Sequence, residues 1–184
     1  SGQPQLAISV PAYDPPPLAA YPLMPPSKNL LPLLPPALDE NGRLQGWRYA
    51  FEDRSKQTFR TGLRDGKTTL LIVNSATCKA QVESPLINLA ATDLRAVRMY
   101  GRIRKPEPFS GTVFYQVMQY TTAPDGSQRQ VAVTPFEMRS TRRKLSPPGA
   151  ERDVSIKLRK QVTHLRFRIE VDFTGTLEIE QPFL

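Results

Sequence analysis

The chain has 184 residues, of which 39% are hydrophobic and 23% are charged, so a folded core is feasible and a wholly disordered chain is excluded. Lysine and arginine total 25 against 17 acidic residues, which gives a net charge of +8 and favours an anionic partner. The single cysteine and single histidine exclude an internal disulfide and the usual zinc sites, and we predict no bound metal and no other cofactor.

The sequence contains no apolar run that approaches the roughly 18 residues of a transmembrane helix. Its first residues, Ser1 and Gly2, begin neither a basic segment nor an apolar one, so we predict no signal peptide here. They look like a cloning remnant, and we therefore expect this chain to be part of a longer protein.

The first 36 residues form an arm that is rich in proline. Eleven of the 19 prolines lie in residues 1–36, and the only charged side chains there are Asp14 and Lys28. Proline disfavours helix, so we expect an extended arm. A flexible linker rarely carries so much apolar surface, and we predict that the arm packs on residues 37–184 or on a neighbouring protein. Four leucines should be mostly buried, namely Leu30, Leu31, Leu33 and Leu34.

From residue 47 onward, apolar residues recur with the period of two that is typical of half-buried strands. A turn is predicted at residues 124–127, where proline, aspartate and glycine follow one another. Gly175 separates the last two predicted strands. Many short strands with turns between them indicate an antiparallel sandwich or barrel. The predicted strands cover residues 68–73, 94–104, 112–120, 130–133, 154–159, 165–172 and 176–179.

Several short motifs occur in a familiar order. The Asn-Leu-Leu-Pro of residues 29–32 precedes Gly46-Trp47, and residues 65–67 lead into a β-rich run. A Glu-Ser-Pro-Leu-Ile segment follows at residues 83–87, and the chain ends with a glycine-led strand from Gly175. Over residues 29–184 this order resembles the galactose-binding-like jelly-roll sandwiches of carbohydrate-binding modules. The resemblance implies an all-β jelly roll of two antiparallel sheets in residues 37–184, with the proline-rich arm extended along it.

The resemblance also raises the question of a structural calcium ion. Modules of this type commonly bind calcium through an acidic residue after the opening segment and an aspartate near the last strand. Asp39 and Glu40 match the first position, whereas Glu180 and Gln181 stand where aspartates are usual. Calcium needs several oxygen ligands, so a calcium site is not favoured here.

Strand alternation predicts two basic stripes as candidate ligand-binding residues. Arg98, Tyr100, Arg102 and Arg104 share one face of a strand, opposite apolar residues, and Gly101 on the apolar side permits a close approach. Arg166 and Arg168 form a second stripe, which Glu170 and Asp172 continue. Guanidinium groups bind carboxylates and phosphates in a bidentate manner. The alternative is that these faces are simply solvated, or are covered by the arm.

Other candidates fit a structural role better. Trp47 is expected in the core, Cys78 has no base associated with it, and the basic run at residues 142–144 suits a solvated loop. Nucleic-acid binding is disfavoured because only Tyr100 interleaves with basic residues. No motif combines a nucleophile, a base and an orienting group, so we predict no enzymatic activity.

The sequence thus predicts a non-catalytic carbohydrate-binding-like module of a larger protein outside the cytoplasm, which favours an anionic polysaccharide or oligosaccharide. The alternative is a structural or assembly domain that contacts another protein, in part through the arm, and binds no sugar.

Overall fold

A computed structural model describes residues 29–33, 37–89, 92–104, 110–139 and 149–184. All the regular structure in these residues is β-structure, which confirms the expected all-β fold. The strands are β1 (Arg48–Phe51), β2 (Gln57–Arg64), β3 (Lys67–Glu83), β4 (Ile87–Asn88), β5 (Ala96–Arg104), β6 (Ser110–Thr122), β7 (Gln128–Arg139), β8 (Gly149–Lys157) and β9 (His164–Glu180).

Two long strands, β3 and β9, build both layers of the sandwich. Each has 17 residues, and they pair antiparallel along nearly their whole length, with a register shift between Asn74 and Cys78. Residues 164–173 of β9 lie between β6 and β3, and together with the flanking strands β1 and β7 they form the first sheet. Residues 175–180 of β9 lie between β5 and β3, and together with the flanking strands β2 and β8 they form the second sheet.

β9 passes from the first sheet into the second at Gly175. The sequence prediction of two separate strands at residues 165–172 and 176–179 is therefore wrong. They form the single strand β9, in which Gly175 has a φ of 118° and occupies the position opposite Asn74. Buried residues continue at odd positions on both sides of this glycine. β3 likewise runs ten residues beyond the predicted end at Val73, because its buried positions resume at Cys78, Ala80 and Val82.

The core lies between the two sheets. Tyr115 of β6 and Phe167 of β9 pack edge to face, with ring centroids 5.1 Å apart. Gly101 of β5 faces the Tyr115 ring from the opposite sheet, and a Cβ at this glycine would overlap the ring. The close approach expected at Gly101 is therefore present. Trp47 is 7% exposed and belongs to the core, as predicted.

Residues 29–33, which are the described part of the arm, close one end of the sandwich. Asn29 accepts hydrogen bonds from the backbone N–H groups of Leu31 and Leu184, and its amide donates to the Pro182 carbonyl. Leu31 and Leu33 are buried in the core. Leu34 and residues 1–28 lie outside the described residues, so the division into an arm of residues 1–36 and a domain of residues 37–184 stays a prediction.

Candidate functional site

The predicted ligand-binding residues lie on opposite outer faces of the sandwich. Arg98 and Arg102 belong to β5 and project from the second sheet, because Val97, Met99 and Ile103 on the alternate positions are buried. The polar parity of this strand is thus confirmed. Tyr100 shares the outer face, and its backbone pairs with that of Phe183. The backbone of Arg104 ends β5, and its side chain lies outside the described part. Arg166 and Arg168 belong to the first sheet.

Acidic residues accompany the predicted stripe on the second sheet. Arg102 lies 3.8 Å from the Glu180 carboxylate, and Arg64 lies 2.6 Å from that of Glu178. Both glutamates project from β9 onto the same outer face. The glutamates of β9 therefore partly compensate the positive charge along β5. This weakens the electrostatic attraction of this face for an anion.

On the first sheet, three arginine side chains lie close to the carboxylate of Glu83. Arg168 donates a hydrogen bond from Nε to Glu83 Oε1 at 2.7 Å, and Arg166 donates to Glu83 Oε2 at 3.4 Å. Arg48 approaches the same carboxylate at 3.9 Å. Three guanidinium groups from β1 and β9 thus surround one carboxylate from β3, and the cluster keeps a surplus of positive charge.

Glutamine side chains extend this cluster into a network across four strands. Gln116 of β6 accepts a hydrogen bond from Arg168 at 3.3 Å and donates to Glu170 at 3.5 Å. Gln81 of β3 donates to the same Glu170 oxygen at 3.1 Å. Because strand pairing places Glu83, Arg168 and Gln116 side by side, the donors and acceptors form a row across the sheet.

A recess and an aromatic ring border the network. Arg48, Ala50, Gln81 and Glu83 help to line a pocket of about 130 Å³, in which the small side chain of Ala50 leaves space opposite Gln81. On the other side, the Arg166 guanidinium lies over the Tyr120 ring at 5.9 Å from its centroid. We call the outer surface formed by Arg48, Gln81, Glu83, Gln116, Tyr120, Arg166, Arg168 and Glu170 the first-sheet face.

This arrangement suits the binding of a polyhydroxylated ligand. Guanidinium and amide groups donate hydrogen bonds, and carboxylate and amide oxygens accept them, so hydroxyl groups can be recognised in both roles. Apart from the exposed Arg48, the groups are half-buried or buried, which shields them from water and strengthens charge-assisted bonds. Neighbouring partners hold the side chains in place before a ligand arrives, which lowers the entropic cost of binding.

The one histidine and one cysteine do not form a catalytic pair. Cys78 is buried opposite Phe173 on β9, and His164 begins the same strand nine residues earlier. At about 3.3 Å per residue along a strand, the two positions are roughly 30 Å apart. The His164 ring instead contacts the Thr163 hydroxyl at 2.9 Å.

The described residues contain no group of three or more His, Cys, Asp or Glu side chains that could hold a metal ion. Asp39, a residue that the resemblance connects with calcium, accepts hydrogen bonds from the backbone N–H groups of Asn41 and Arg43 at 2.9 Å each. Its carboxylate therefore stabilises its own turn.

Five residues of the first-sheet face were not predicted as site residues from the sequence: Arg48, Gln81, Glu83, Gln116 and Tyr120. Alternation would have placed Gln81 and Glu83 on the outer side of β3, had the strand been extended beyond Val73. The contact of Glu83 with Arg168 joins residues 85 positions apart, and that of Gln81 with Glu170 joins residues 89 positions apart. No local sequence pattern indicates such pairings.

No protein-family model matches this chain, and no curated protein sequence matches it. Solved structures do match. The enzymatically active domain of tailspike protein 4 of bacteriophage CBA120 aligns with a TM-score of 0.56 and 10% identity, over 77% of this chain and 19% of that chain. This chain therefore corresponds to about one fifth of the tailspike chain.

Carbohydrate-binding modules are also among the similar structures. One is from the β-sandwich superfamily, with a TM-score of 0.49 and 12% identity over 86% of this chain and 64% of that chain. Another is a family 61 module in complex with β-1,4-galactotriose, with a TM-score of 0.46 and 13% identity over 85% of this chain and 97% of that chain. At these sequence identities the likeness concerns the fold, the expected β-sandwich, and the function must be argued from the chemistry of the surface.

Among the described residues, no helix has the length and apolar character needed to cross a membrane.

Proposed function

We propose that this chain is a non-catalytic carbohydrate-binding domain of a larger protein and that the first-sheet face is its binding surface. The observation that carries the proposal is the network in which Glu83, Arg168 and Gln116 join three neighbouring strands. It presents fixed donors and acceptors on an open sheet face, beside a recess and the ring of Tyr120, against which the apolar face of a sugar can pack.

The charge of the network favours a glycan that carries carboxylates or other anionic groups. Glu83 is shared by three arginines, so their guanidinium groups retain N–H donors that are not committed to it. A ligand carboxylate that pairs with an arginine gains a charge-assisted bond. An extracytoplasmic location belongs to the same proposal and rests on the resemblance of the motif order to carbohydrate-binding modules.

The test begins with an array of neutral and acidic oligosaccharides at physiological salt, because low salt exaggerates the attraction of a basic protein for polyanions. A bound oligosaccharide is then titrated against the variant Gln81→Ala/Gln116→Ala. We expect at least a fivefold loss of affinity, since each amide contributes about 0.5–1.5 kcal/mol through its hydrogen bonds. The net charge is unchanged, so the loss reports specific contacts.

The matched control is Arg98→Ala/Arg102→Ala on the opposite face. The stripe hypothesis drawn from the sequence predicts a loss of roughly fivefold or more for this variant, from about 0.5–1 kcal/mol for each arginine. The first-sheet proposal predicts less than a twofold change. Failure of every oligosaccharide to bind the parent protein would contradict the proposed function, and a loss confined to the control variant would place the site on the second sheet.

An assembly role is the second candidate, and exposed apolar side chains favour it. Leu63 on the edge strand β2 is 62% exposed, and Val133 on β7 is 42% exposed. Edge strands with apolar side chains can pair with another chain. A concentration-dependent mass in light scattering that Leu63→Lys abolishes, with no oligosaccharide bound, would support this role over sugar binding.

A further inference from the structure

A basic pocket at one end of the sandwich is separate from both predicted stripes. It lies where the loop before β5 meets the loop between β8 and β9, and its volume is about 490 Å³. Hydrophobic side chains form part of its wall, and Leu94 is 43% exposed there. We call this the loop pocket, and it is lined by Leu94, Arg95, Lys157, Leu158, Arg159, Lys160, Gln161 and Val162.

The loop pocket differs from the stripes in its charge. Four of its eight lining residues are cationic, and none is acidic. Arg95, Lys157, Arg159 and Lys160 make no ion pair with any described residue. The arginines of the first-sheet face share Glu83, and Arg102 lies against Glu180. An anion that enters the loop pocket therefore meets cations without displacing an internal carboxylate.

Backbone contacts hold the loop pocket in shape. Gln119 is buried in β6, accepts a hydrogen bond from the Arg159 N–H at 2.8 Å and donates to the Lys157 carbonyl at 3.2 Å. The Leu158 N–H donates to the Arg95 carbonyl at 2.9 Å, which ties the two loops together. The cationic side chains thus extend from fixed backbone, so a ligand does not need to order the loop on binding.

We infer that the loop pocket binds the anionic substituents of a glycan, namely carboxylate or sulfate groups on its sugar rings. The nature of this ligand rests on the proposed function, whereas the pocket is a second site beyond the first-sheet face. The concave form of the pocket favours a glycan over an anionic membrane. Binding to a membrane surface relies on a large exposed apolar area, whereas Leu94 supplies the exposed large hydrophobic side chain among these eight described lining residues. Two sites on one domain increase affinity for a long chain through avidity.

The experiment compares two variants of equal charge by calorimetry at physiological salt. Arg159→Ala/Lys160→Ala removes two cations from the loop pocket without touching the backbone bonds that shape it. Arg54→Ala/Arg60→Ala removes two exposed cations elsewhere, on the turn before β2 and on β2, at the opposite edge of the second sheet from β5 and β8. The probes are hexagalacturonate, a neutral hexasaccharide, and vesicles of phosphatidylcholine with phosphatidylserine.

We expect the loop-pocket variant to lose at least about fivefold in affinity for hexagalacturonate and the control variant to lose less than about twofold. Equal losses would show a response to net charge alone and overturn the inference, as would vesicle binding without hexagalacturonate binding. If the parent protein binds the neutral hexasaccharide at the first-sheet face but not hexagalacturonate, the second site and the preference for an anionic glycan are refuted, whereas sugar binding at the first-sheet face stands. A second variant, Leu94→Asp, places a carboxylate in the lining and should weaken hexagalacturonate binding by a similar factor; unchanged binding would contradict the inference.

Discussion

Single residues determine which of the predicted charges remain available. Arg98, Arg102, Arg166 and Arg168 all occupy the polar positions that alternation assigns to them. The partners of Arg102, Arg166 and Arg168 come from distant parts of the chain, and the shared carboxylate of Glu83 makes Arg166 and Arg168 members of one cluster rather than an exposed stripe. Side-chain direction is a local property of a strand, whereas ion pairing depends on its neighbours.

Gly101 shows how one residue permits the contact between the two sheets. We predict that Gly101→Ala lowers the free energy of unfolding by about 1–3 kcal/mol, because the added Cβ overlaps the ring of Tyr115, which is fully buried. Urea denaturation measures the change. The same substitution in a Tyr115→Leu background should be less destabilising, since the ring is gone, and equal losses in both backgrounds would contradict the contact.

Tyr115→Phe is the matched control for these variants. It keeps the ring and removes a hydroxyl that has no hydrogen-bond partner among the described residues. Burial also raises the pKa of this hydroxyl well above its ordinary value. The unfolding free energy should therefore change by less than about 1 kcal/mol.

At the scale of elements, the sequence reveals where strands lie better than where they continue. The alternation in β5 and in the first half of β9 is regular, and the predicted strands there match the structure closely. β1, β2 and β4 were not predicted as separate strands, and β3 was cut short at Val73. Polar residues at Asn74, Ser75 and Thr77 interrupt the pattern where β3 changes sheets, and only the pairing with β9 shows that the strand continues.

Asn74 stabilises this change of sheet. Its buried amide nitrogen donates to the carbonyls of Cys78 at 3.3 Å and Phe173 at 3.1 Å. We predict that Asn74→Ala lowers the free energy of unfolding by about 1–3 kcal/mol, because two buried carbonyls lose a donor. Ser75→Ala, at an exposed position of the same bulge, should change it by less than about 0.5 kcal/mol. Similar effects of the two substitutions in thermal or urea unfolding would argue against this role.

At the scale of the whole molecule, the two ends of the described chain meet and close the sandwich. Asn29 is bonded to Pro182 and Leu184, and the Leu33 carbonyl accepts a hydrogen bond from Thr68. Composition alone suggested that the leucines of the arm pack on the protein, but it did not indicate which end they cover. The loop pocket could not be predicted either, because Arg95 and residues 157–160 converge only through folding.

We predict that Leu33→Ala lowers the free energy of unfolding by about 2–5 kcal/mol, because Leu33 is fully buried and its truncation leaves a cavity. Deletion of residues 1–36 should lower the melting temperature or cause aggregation for the same reason. Leu38→Ala is the control, since Leu38 is 43% exposed and should contribute little. A monodisperse truncated protein with an unchanged melting temperature would show that the arm does not stabilise the fold.

The central claim is that the first-sheet face binds a glycan, and chemical-shift mapping by NMR tests it most directly. An oligosaccharide selected from the array is added at physiological salt, and backbone and side-chain amide shifts are followed to saturation. We expect the largest changes at Gln81, Gln116, Arg166, Arg168 and their strand neighbours, with little change at Arg98 and Arg102. Saturable shifts confined to the outer face of the second sheet, or no shifts with any oligosaccharide, would contradict it.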